Sequence, residues 1–262
     1  MTTPRPQQDQ HFLVTGAGTG IGRAITLRLA ADGAKLSILA RTRSRLQAVA
    51  QEAEAAGAPA VSIHACDVRD RAAVDAAVDA AAARLGPLRG AIANAGIGGP
   101  NAPGPDDRFD DLVQTNLVGT YSTLRAAQRH LADGPGTRHM VVTSSILGRF
   151  GVPGYTGYCA SKTALLGLVR ALALELAGDD VQVNAICPGW VETDMAWEGI
   201  DGMAAAMGVT RDQALATAMQ AVPLGRMGQP EHIAGVVAWL VGPDGCGVTG
   251  QGIDVNGGAW MG

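Results

Sequence analysis

Tyr158 and Lys162 stand four residues apart in Tyr158-Cys159-Ala160-Ser161-Lys162, thirteen residues after Ser145. On a helix that spacing puts both side chains on one face, about one turn apart, with an ammonium beside a phenol. A free phenol titrates at about 10, and a neighbouring cation favours the phenolate and lowers that value. Such a tyrosine can act as a general acid or base at neutral pH. A bare Tyr-x-x-x-Lys also recurs by chance at the start of ordinary amphipathic helices. Its meaning therefore rests on the elements that position it.

Those elements alternate. His11 to Thr15 reads as a short buried strand running into Gly16-Ala17-Gly18-Thr19-Gly20-Ile21-Gly22, and a helix carrying Ile25, Leu27 and Leu29 follows. Strands are expected at Lys35–Ala40, Ala60–Ala65, Leu88–Ala93, His139–Ser144, Val181–Ile186 and Gly252–Val255. Helices are expected at Ser44–Ala56, Arg71–Leu85, Arg108–Leu131, around Tyr158 and Lys162, and at Glu231–Leu240. This alternation predicts an α/β fold with a parallel sheet covered on both faces. In such sheets ligands bind beyond the carboxyl ends of the strands, where nearly every chemically suggestive residue of this chain falls. Gly96 to Pro105 is a Gly/Pro-rich loop at one such end.

At 262 residues the chain suits one large domain, residues 11–262, preceded by a flexible polar segment, 1–10. Hydrophobic residues make up 47% and charged residues 17%, which excludes a disordered chain. A net charge of -4 gives nucleic acid or an anionic membrane no electrostatic foothold. No signal peptide and no apolar run of about 18 residues is present, and the four cysteines lack a C-x-x-C or disulfide-framework spacing. A cytoplasmic protein is expected. The five histidines show no metal-ligand spacing, so no metal site is expected, and Asp106, Asp107, Asp110 and Asp111 read as a solvated helix start. Five of the eight methionines, with Trp190 and Trp197, fall between Pro188 and Gly228. Methionine adapts to varied apolar shapes, and a substrate lid at about 190–228 is expected.

The glycine turn joins a strand to a helix, where backbone can approach phosphate closely and the helix amino end offers free N–H groups. A pyrophosphate is expected there. At the end of the second strand, an acidic residue would accept from the ribose hydroxyls of NAD, but Ala40 and Arg41 stand there. An arginine suits a 2'-phosphate, so NADP(H) is preferred and NAD(H) is the alternative. Arg43 or Arg45 would assist. Asp67 is read either as an acceptor for the adenine amino group or as the N-cap of the Arg71 helix.

With these residues in place, the chain resembles the classical short-chain dehydrogenase/reductases along nearly its whole length. The resemblance is carried by Thr15-Gly16-x-x-x-Gly20-x-Gly22, Asp67-Val68, Asn94-Ala95-Gly96, Asn116, Ser145, Tyr158-x-x-x-Lys162 and Pro188-Gly189. It implies a single Rossmann-type, doubly wound sheet of about seven strands, usually in a homotetramer. It also implies roles: Tyr158 as proton donor or acceptor, Ser145 holding the substrate oxygen, Lys162 holding the nicotinamide ribose and depressing the Tyr158 pKa, and Asn116 positioning a water that links Lys162 to solvent. Gly16, Gly18, Thr19, Gly20, Ile21, Arg41, Asp67, Val68, Asn94, Ala95, Gly96, Tyr158, Lys162, Pro188, Gly189, Val191 and Thr193 would line the cofactor. Ser145, Leu147, Tyr158, Trp190, Met195 and Trp197 would form the substrate pocket. Two departures are Ala93, where the family usually has asparagine, and Thr19, where many NADP-dependent members have a basic residue.

The tail, with Val248-Thr249-Gly250-Gln251 and Asn256-Gly257-Gly258, and Cys187 to Thr193 look most like bacterial ketoacyl and polyketide ketoreductases. Members that take carrier-bound fatty-acid substrates place basic residues where this chain has Gly136 and Asp179. The expected substrate is therefore a free or CoA-linked ketone, or the corresponding secondary alcohol. An NAD-linked alcohol or hydroxyacyl dehydrogenase working oxidatively is the alternative. A nucleotide sensor without turnover is the third class, disfavoured because Ser145, Tyr158 and Lys162 are all present.

Overall fold

The computed structural model describes residues 6–262. Its core is one parallel sheet of seven strands in the order β3-β2-β1-β4-β5-β6-β7. The strands are β1 (His11–Thr15), β2 (Lys35–Ala40), β3 (Val61–Ala65), β4 (Gly90–Ala93), β5 (Arg138–Thr143), β6 (Val181–Pro188) and β7 (Gly252–Val255). Between them run α1 (Gly20–Ala31), α2 (Arg43–Ala56), α3 (Arg71–Leu85), α4 (Phe109–Val113), α5 (Gly119–Gln128), α6 (Thr156–Leu176), α7 (Asp194–Met207), α8 (Arg211–Gln220) and α9 (Pro230–Leu240). The fold is the expected Rossmann-type α/β architecture.

Side-chain alternation along the strands divides the core into two layers. Phe12 and Val14 point with Leu36 and Ile38 toward α1, α2 and α9, where they meet Ile25, Leu29, Leu46, Ile233 and Val237. Leu13 and Leu39 point the other way, onto Val74 and Val78 of α3. On that same face Val142, Val183 and Ala185 pack beneath Leu165, Val169 and Leu172 of α6. Strands buried on both faces read as unbroken apolar runs, which is why β1 was legible without any alternation. The strand order reverses between β1 and β4, opening a crevice at their carboxyl ends.

Three expectations change. Residues 6–10 are not a loose leader: Gln7 is buried, its Nε2 donates to the Val241 carbonyl at 2.9 Å, and Lys35 N donates to the Gln10 carbonyl at 2.8 Å. Met1–Arg5 lie outside the described residues. The helix expected over Arg108–Leu131 begins at Phe109, changes to a π-helical turn over Gln114–Val118 and ends at Gln128. Leu131 leaves it to bridge Leu88. Asp67 is not the N-cap of α3; Asp70 is, accepting from Ala73 N at 3.0 Å.

Between β6 and α9, helices α7 and α8 close on a small cluster of their own around Ile200, Ala204, Ala214 and Met227. Among the described residues, no helix is long and apolar enough to cross a membrane, and no group of three or more His, Cys, Asp or Glu is arranged to hold a metal.

Candidate active site

The crevice is built from the ends of β1, β4 and β5. Asn94, just beyond β4, ties them together: its backbone N and that of Ala95 donate to Thr15 Oγ1 at 3.1 Å, its Nδ2 donates to the Thr15 carbonyl at 3.2 Å, and its Oδ1 accepts from Thr143 Oγ1 at 3.1 Å. The glycine turn lies directly against this joint. Gly16 has φ +66°, and a Cβ on it would stand 2.8 Å from Ala95 Cα. A Cβ on Gly22 would stand 2.2 Å from the Gly16 carbonyl oxygen. Only glycine fits at both, so the turn brings bare backbone to the crevice. Thr19, the N-cap of α1, makes no side-chain bond to the helix, and Ile21 lies in the first turn, so amino-terminal N–H groups of α1 stay open to an anion.

The surroundings of this turn match a dinucleotide. A Cβ on Gly18 would lie 3.3 Å from Arg45 Cβ, so Arg45 sits beside the turn, and Ala40 approaches the same point at 3.7 Å. Arg41 is exposed at the tip of β2. Asp67, beyond β3, accepts from the backbone N of Arg69 at 3.0 Å and from its guanidinium Nη2 at 2.8 Å, and this Arg69 grip holds its carboxyl below the usual range. Arg69 is thus a competitor for any group that Asp67 would bind. Val68 is buried against Gly119. On the opposite wall, Gly189 N donates to the Val255 carbonyl, Pro188 ends β6, and Val191 is buried and bridges Gly228. Thr193 caps α7 through Ala196 N, and a Cβ on Gly20 would lie 3.1 Å from its methyl group.

Ser145, Tyr158 and Lys162 converge beside this crevice. Ser144 and Ser145 have separate duties: Ser144 Oγ donates to the Lys162 carbonyl at 2.8 Å, whereas Ser145 Oγ accepts from Leu147 N at 3.1 Å and neighbours the Tyr158 hydroxyl. Lys162 is buried, and its Nζ donates to the Thr143 carbonyl at 2.9 Å and lies 5.7 Å from the centre of the Tyr158 ring. Among the described residues no carboxylate pairs with it, and burial lowers its pKa to about 8. The expected depression of the Tyr158 pKa by Lys162 is absent here. Burial raises the phenol above its ordinary range, and the neighbouring Ser145 hydroxyl works in the lowering direction. The ammonium is directed to the Thr143 carbonyl, 5.7 Å from the centre of the ring.

Asn116 lies fully buried in the π-helical turn. Its Oδ1 accepts from Ile97 N at 2.9 Å, and its Nδ2 donates to the Ile97 carbonyl at 3.0 Å and to Ser161 Oγ at 3.1 Å. Both amide hydrogens are thus committed to protein rather than to a water. A Cβ on Gly96 would lie 3.1 Å from Asn116 Oδ1 and 3.3 Å from Lys162 Nζ, so Gly96 allows these two side chains to come together. The extra residue of a π-helical turn re-aims a side chain, and such turns gather at functional sites.

The pocket residues separate into two groups. Met195 reaches across the crevice to Gly98, whose Cβ would stand 2.9 Å from the Met195 sulfur, and Leu147 follows Ser145 in a short 3-10 turn. Trp190 and Trp197 pack on the α7–α8 cluster, and Trp197 also carries the Arg211 guanidinium 5.7 Å from its ring centre. The sequence reading gave no role to Thr143, to Asn101 or to Gly157. A Cβ on Gly157 would stand 3.1 Å from Phe109 Cα, which makes it the point where α4 crosses α6. Nothing local in the sequence marks these three, because their partners are distant in the chain. Cys159 borders an open, mostly apolar cavity of about 530 Å³ behind the helix, with Phe150 and Ala164.

Residues 16–259 match the family model described as Enoyl-(Acyl carrier protein) reductase. The 3-oxoacyl-(acyl-carrier-protein) reductase FabG of Staphylococcus aureus (strain N315) is 34% identical over 253 residues, covering 95% of this chain and 97% of that protein. A variant of actinorhodin polyketide ketoreductase, solved with NADPH, superposes with a TM-score of 0.88 at 35% identity and 99% coverage of both chains. A short chain dehydrogenase from Burkholderia cenocepacia J2315 in complex with NADP gives a TM-score of 0.84 at 34% identity, covering 97% of this chain and 99% of that one. With the sheet order, the glycine turn and the Ser145, Tyr158 and Lys162 cluster all in place, the chain belongs to the short-chain dehydrogenase/reductase family of oxidoreductases.

Proposed function

We propose that this chain reduces a ketone to a secondary alcohol with NADPH. The observation that carries the reading is the convergence of Ser145, Tyr158 and Lys162 on the crevice that the glycine turn enters. Gly16, Gly18, Thr19, Gly20 and Ile21 hold the pyrophosphate; Arg41, with Arg45, meets the 2'-phosphate; Asp67 and Val68 border the adenine. Asn94, Ala95 and Gly96 line the middle of the cofactor site, and Pro188, Gly189, Val191 and Thr193 its nicotinamide side. When bound there, the reduced nicotinamide supplies hydride to the carbonyl carbon.

The remaining steps belong to the chain. The Ser145 hydroxyl donates to the carbonyl oxygen and stabilises the charge that grows on it. Tyr158, kept protonated by burial, delivers its proton to that oxygen. Lys162, with Asn116 against Ser161, holds the ribose and the first turns of α6 in place. Met195 and Leu147 wall the substrate, with Trp190 packed behind them on the α7–α8 cluster, and residues 190–228 form the lid, since Thr193 and Met195 touch the glycine turn and the Gly98 loop from one segment.

The relatives named as 3-oxoacyl and polyketide reductases favour a β-ketoacyl-type substrate. Gly136 and Asp179 are less deprived of positive charge than the sequence suggested: Arg138 Nη1 donates to the Gly136 carbonyl at 2.9 Å, Arg138 Nη2 donates to the Asp179 carbonyl, and Arg89 lies against Gly136. We retain the free or CoA-linked ketone as the substrate class. The exposed face of α6, where Leu174 is 84% accessible beside Ala171 and Gly167, supports the homotetramer, which we place in the cytoplasm. Light scattering of the purified protein tests that assembly, and a monomeric mass would exclude it.

Titration with NADPH and NADH by fluorescence, followed by acetoacetyl-CoA, ethyl acetoacetate and cyclohexanone, tests the function. Ketone-dependent oxidation of NADPH is expected; oxidation of NADH alone would turn the assignment to the NAD-linked dehydrogenase. Arg41→Ala is expected to weaken NADPH by about ten- to a hundredfold and to leave NADH nearly unchanged, because a charge-assisted contact to phosphate is lost. Equal losses for both nucleotides would contradict the 2'-phosphate role.

A further inference from the structure

The catalytic helix α6 begins without a cap of its own. Its N-cap residue, Tyr155, makes no side-chain bond to the helix. An α-helix leaves its first N–H groups unpaired, and Tyr158 lies in that first turn, so any slack there moves the phenol. The missing cap is supplied by Asn101, more than fifty residues upstream. Asn101 is buried, and its Oδ1 accepts from Gly157 N at 2.8 Å and from Thr156 Oγ1 at 3.2 Å. Its Nδ2 donates to Thr156 Oγ1 and to Asp107 Oδ1, both at 3.0 Å, and its backbone N donates to the Gly154 carbonyl at 2.8 Å.

The orientation of this amide is dictated by its partners. Gly157 N–H needs an acceptor and the Asp107 carboxylate needs a donor, so oxygen must face α6 and nitrogen must face Asp107. The Asp107 oxygen that accepts from Asn101 also accepts from Phe109 N at 3.0 Å, at the start of α4. Arg108 Nη2 donates to the Gly98 carbonyl at 3.1 Å, holding the same loop from its other side. Asn101 thereby joins the loop after β4, the start of α4 and the start of α6, at the glycine where the two helices touch.

We propose that Asn101 is a positioning residue for Tyr158: it caps the catalytic helix from the loop that borders the cofactor crevice, and so fixes the phenol relative to Ser145. The proposal rests on Tyr158 being the proton donor. It also assigns Asp107 a purpose, which is to hold the amide in the capping orientation.

The test compares Asn101→Ala, Asn101→Asp and the double variant Asn101→Asp with Asp107→Asn. Asn101→Ala is expected to lower kcat for acetoacetyl-CoA by about ten- to a hundredfold, since displacement of a reacting group by about 1 Å costs that much, while the NADPH Kd stays within about threefold. Asn101→Asp keeps the acceptor for Gly157 but faces the Asp107 carboxylate, and it is expected to be impaired as well. The double variant restores a donor opposite the new carboxylate while giving up the acceptor for Phe109 N, and it is expected to recover part of the loss, which a general loss of stability would not do.

Hydrogen–deuterium exchange of residues 155–160 provides a readout that needs no substrate: faster exchange is expected in Asn101→Ala, with β1 and α1 unchanged. Unchanged exchange at 155–160, kcat within about twofold of wild type, or absence of recovery in the double variant would each overturn the proposal. Tyr158→Phe, measured in parallel, separates the two ideas. If that variant keeps its turnover, the assignment of Tyr158 fails; if it is inactive while Asn101→Ala is normal, only the positioning role fails.

Discussion

Tyr158→Phe is expected to lower kcat by about a hundred- to ten-thousandfold, the usual worth of a positioned general acid. NADPH binding should remain within about threefold, because the ring that lies beside Lys162 is kept and only the hydroxyl is lost. Single-turnover oxidation of NADPH with acetoacetyl-CoA checks the first expectation, and a fluorescence titration checks the second. Appreciable residual turnover would remove Tyr158 from the reaction.

The state of the phenol sets the accompanying pH dependence. Burial raises the Tyr158 pKa, so the proton is present throughout the neutral range and reduction should not depend on its ionisation there. The reverse reaction needs the phenolate. Alcohol oxidation should therefore climb as pH rises toward 10, and a maximum near neutrality in the oxidative direction would contradict this reading. A bound cofactor would bring its own charges to the site, so the two directions should be compared at saturating nucleotide.

Lys162→Met is expected to abolish most turnover and yet to stabilise the fold. The ammonium is buried without a carboxylate, and its pKa falls from 10.5 to about 8. The folded state thus binds this proton more weakly than the unfolded chain does. The sign follows directly: stability is lowest below about pH 8, where both states carry the charge, and rises as pH climbs from about 8 to 10.5. The difference corresponds to roughly 3 kcal/mol at pH 7. Methionine removes the charge at similar length but forfeits a charge-assisted bond to the Thr143 carbonyl, worth about 2 kcal/mol, so a net gain of roughly 1 kcal/mol is expected. Urea unfolding at pH 7 and pH 10 measures it. A variant less stable than wild type at pH 7, or a gain that persists undiminished at pH 10, would refute the account. Stability surrendered at this position is consistent with a residue retained for chemistry.

The alternation of strands and helices is written in the amino-acid order, because residues buried on both sheet faces must be apolar in continuous runs. The spans of β1, β2, α3 and β7 follow from these runs and from the turns between them. The same order also fixes the glycine turn, since Gly16 and Gly22 occupy positions that no Cβ can share with Ala95 or with the Gly16 carbonyl. Tyr158 and Lys162 were legible because their relation is local, one turn of one helix.

How those parts are held depends on contacts between residues far apart in the chain. The π-helical turn around Asn116, the choice of the Thr143 carbonyl for Lys162, the grip of Arg69 on Asp67 and the cap that Asn101 gives to α6 all depend on groups that meet across the fold. The pKa of Tyr158 moved opposite to the local expectation for the same reason. Helical spacing fixes that Lys162 is near, whereas burial, set by everything packed around the pair, fixes what the proximity is worth.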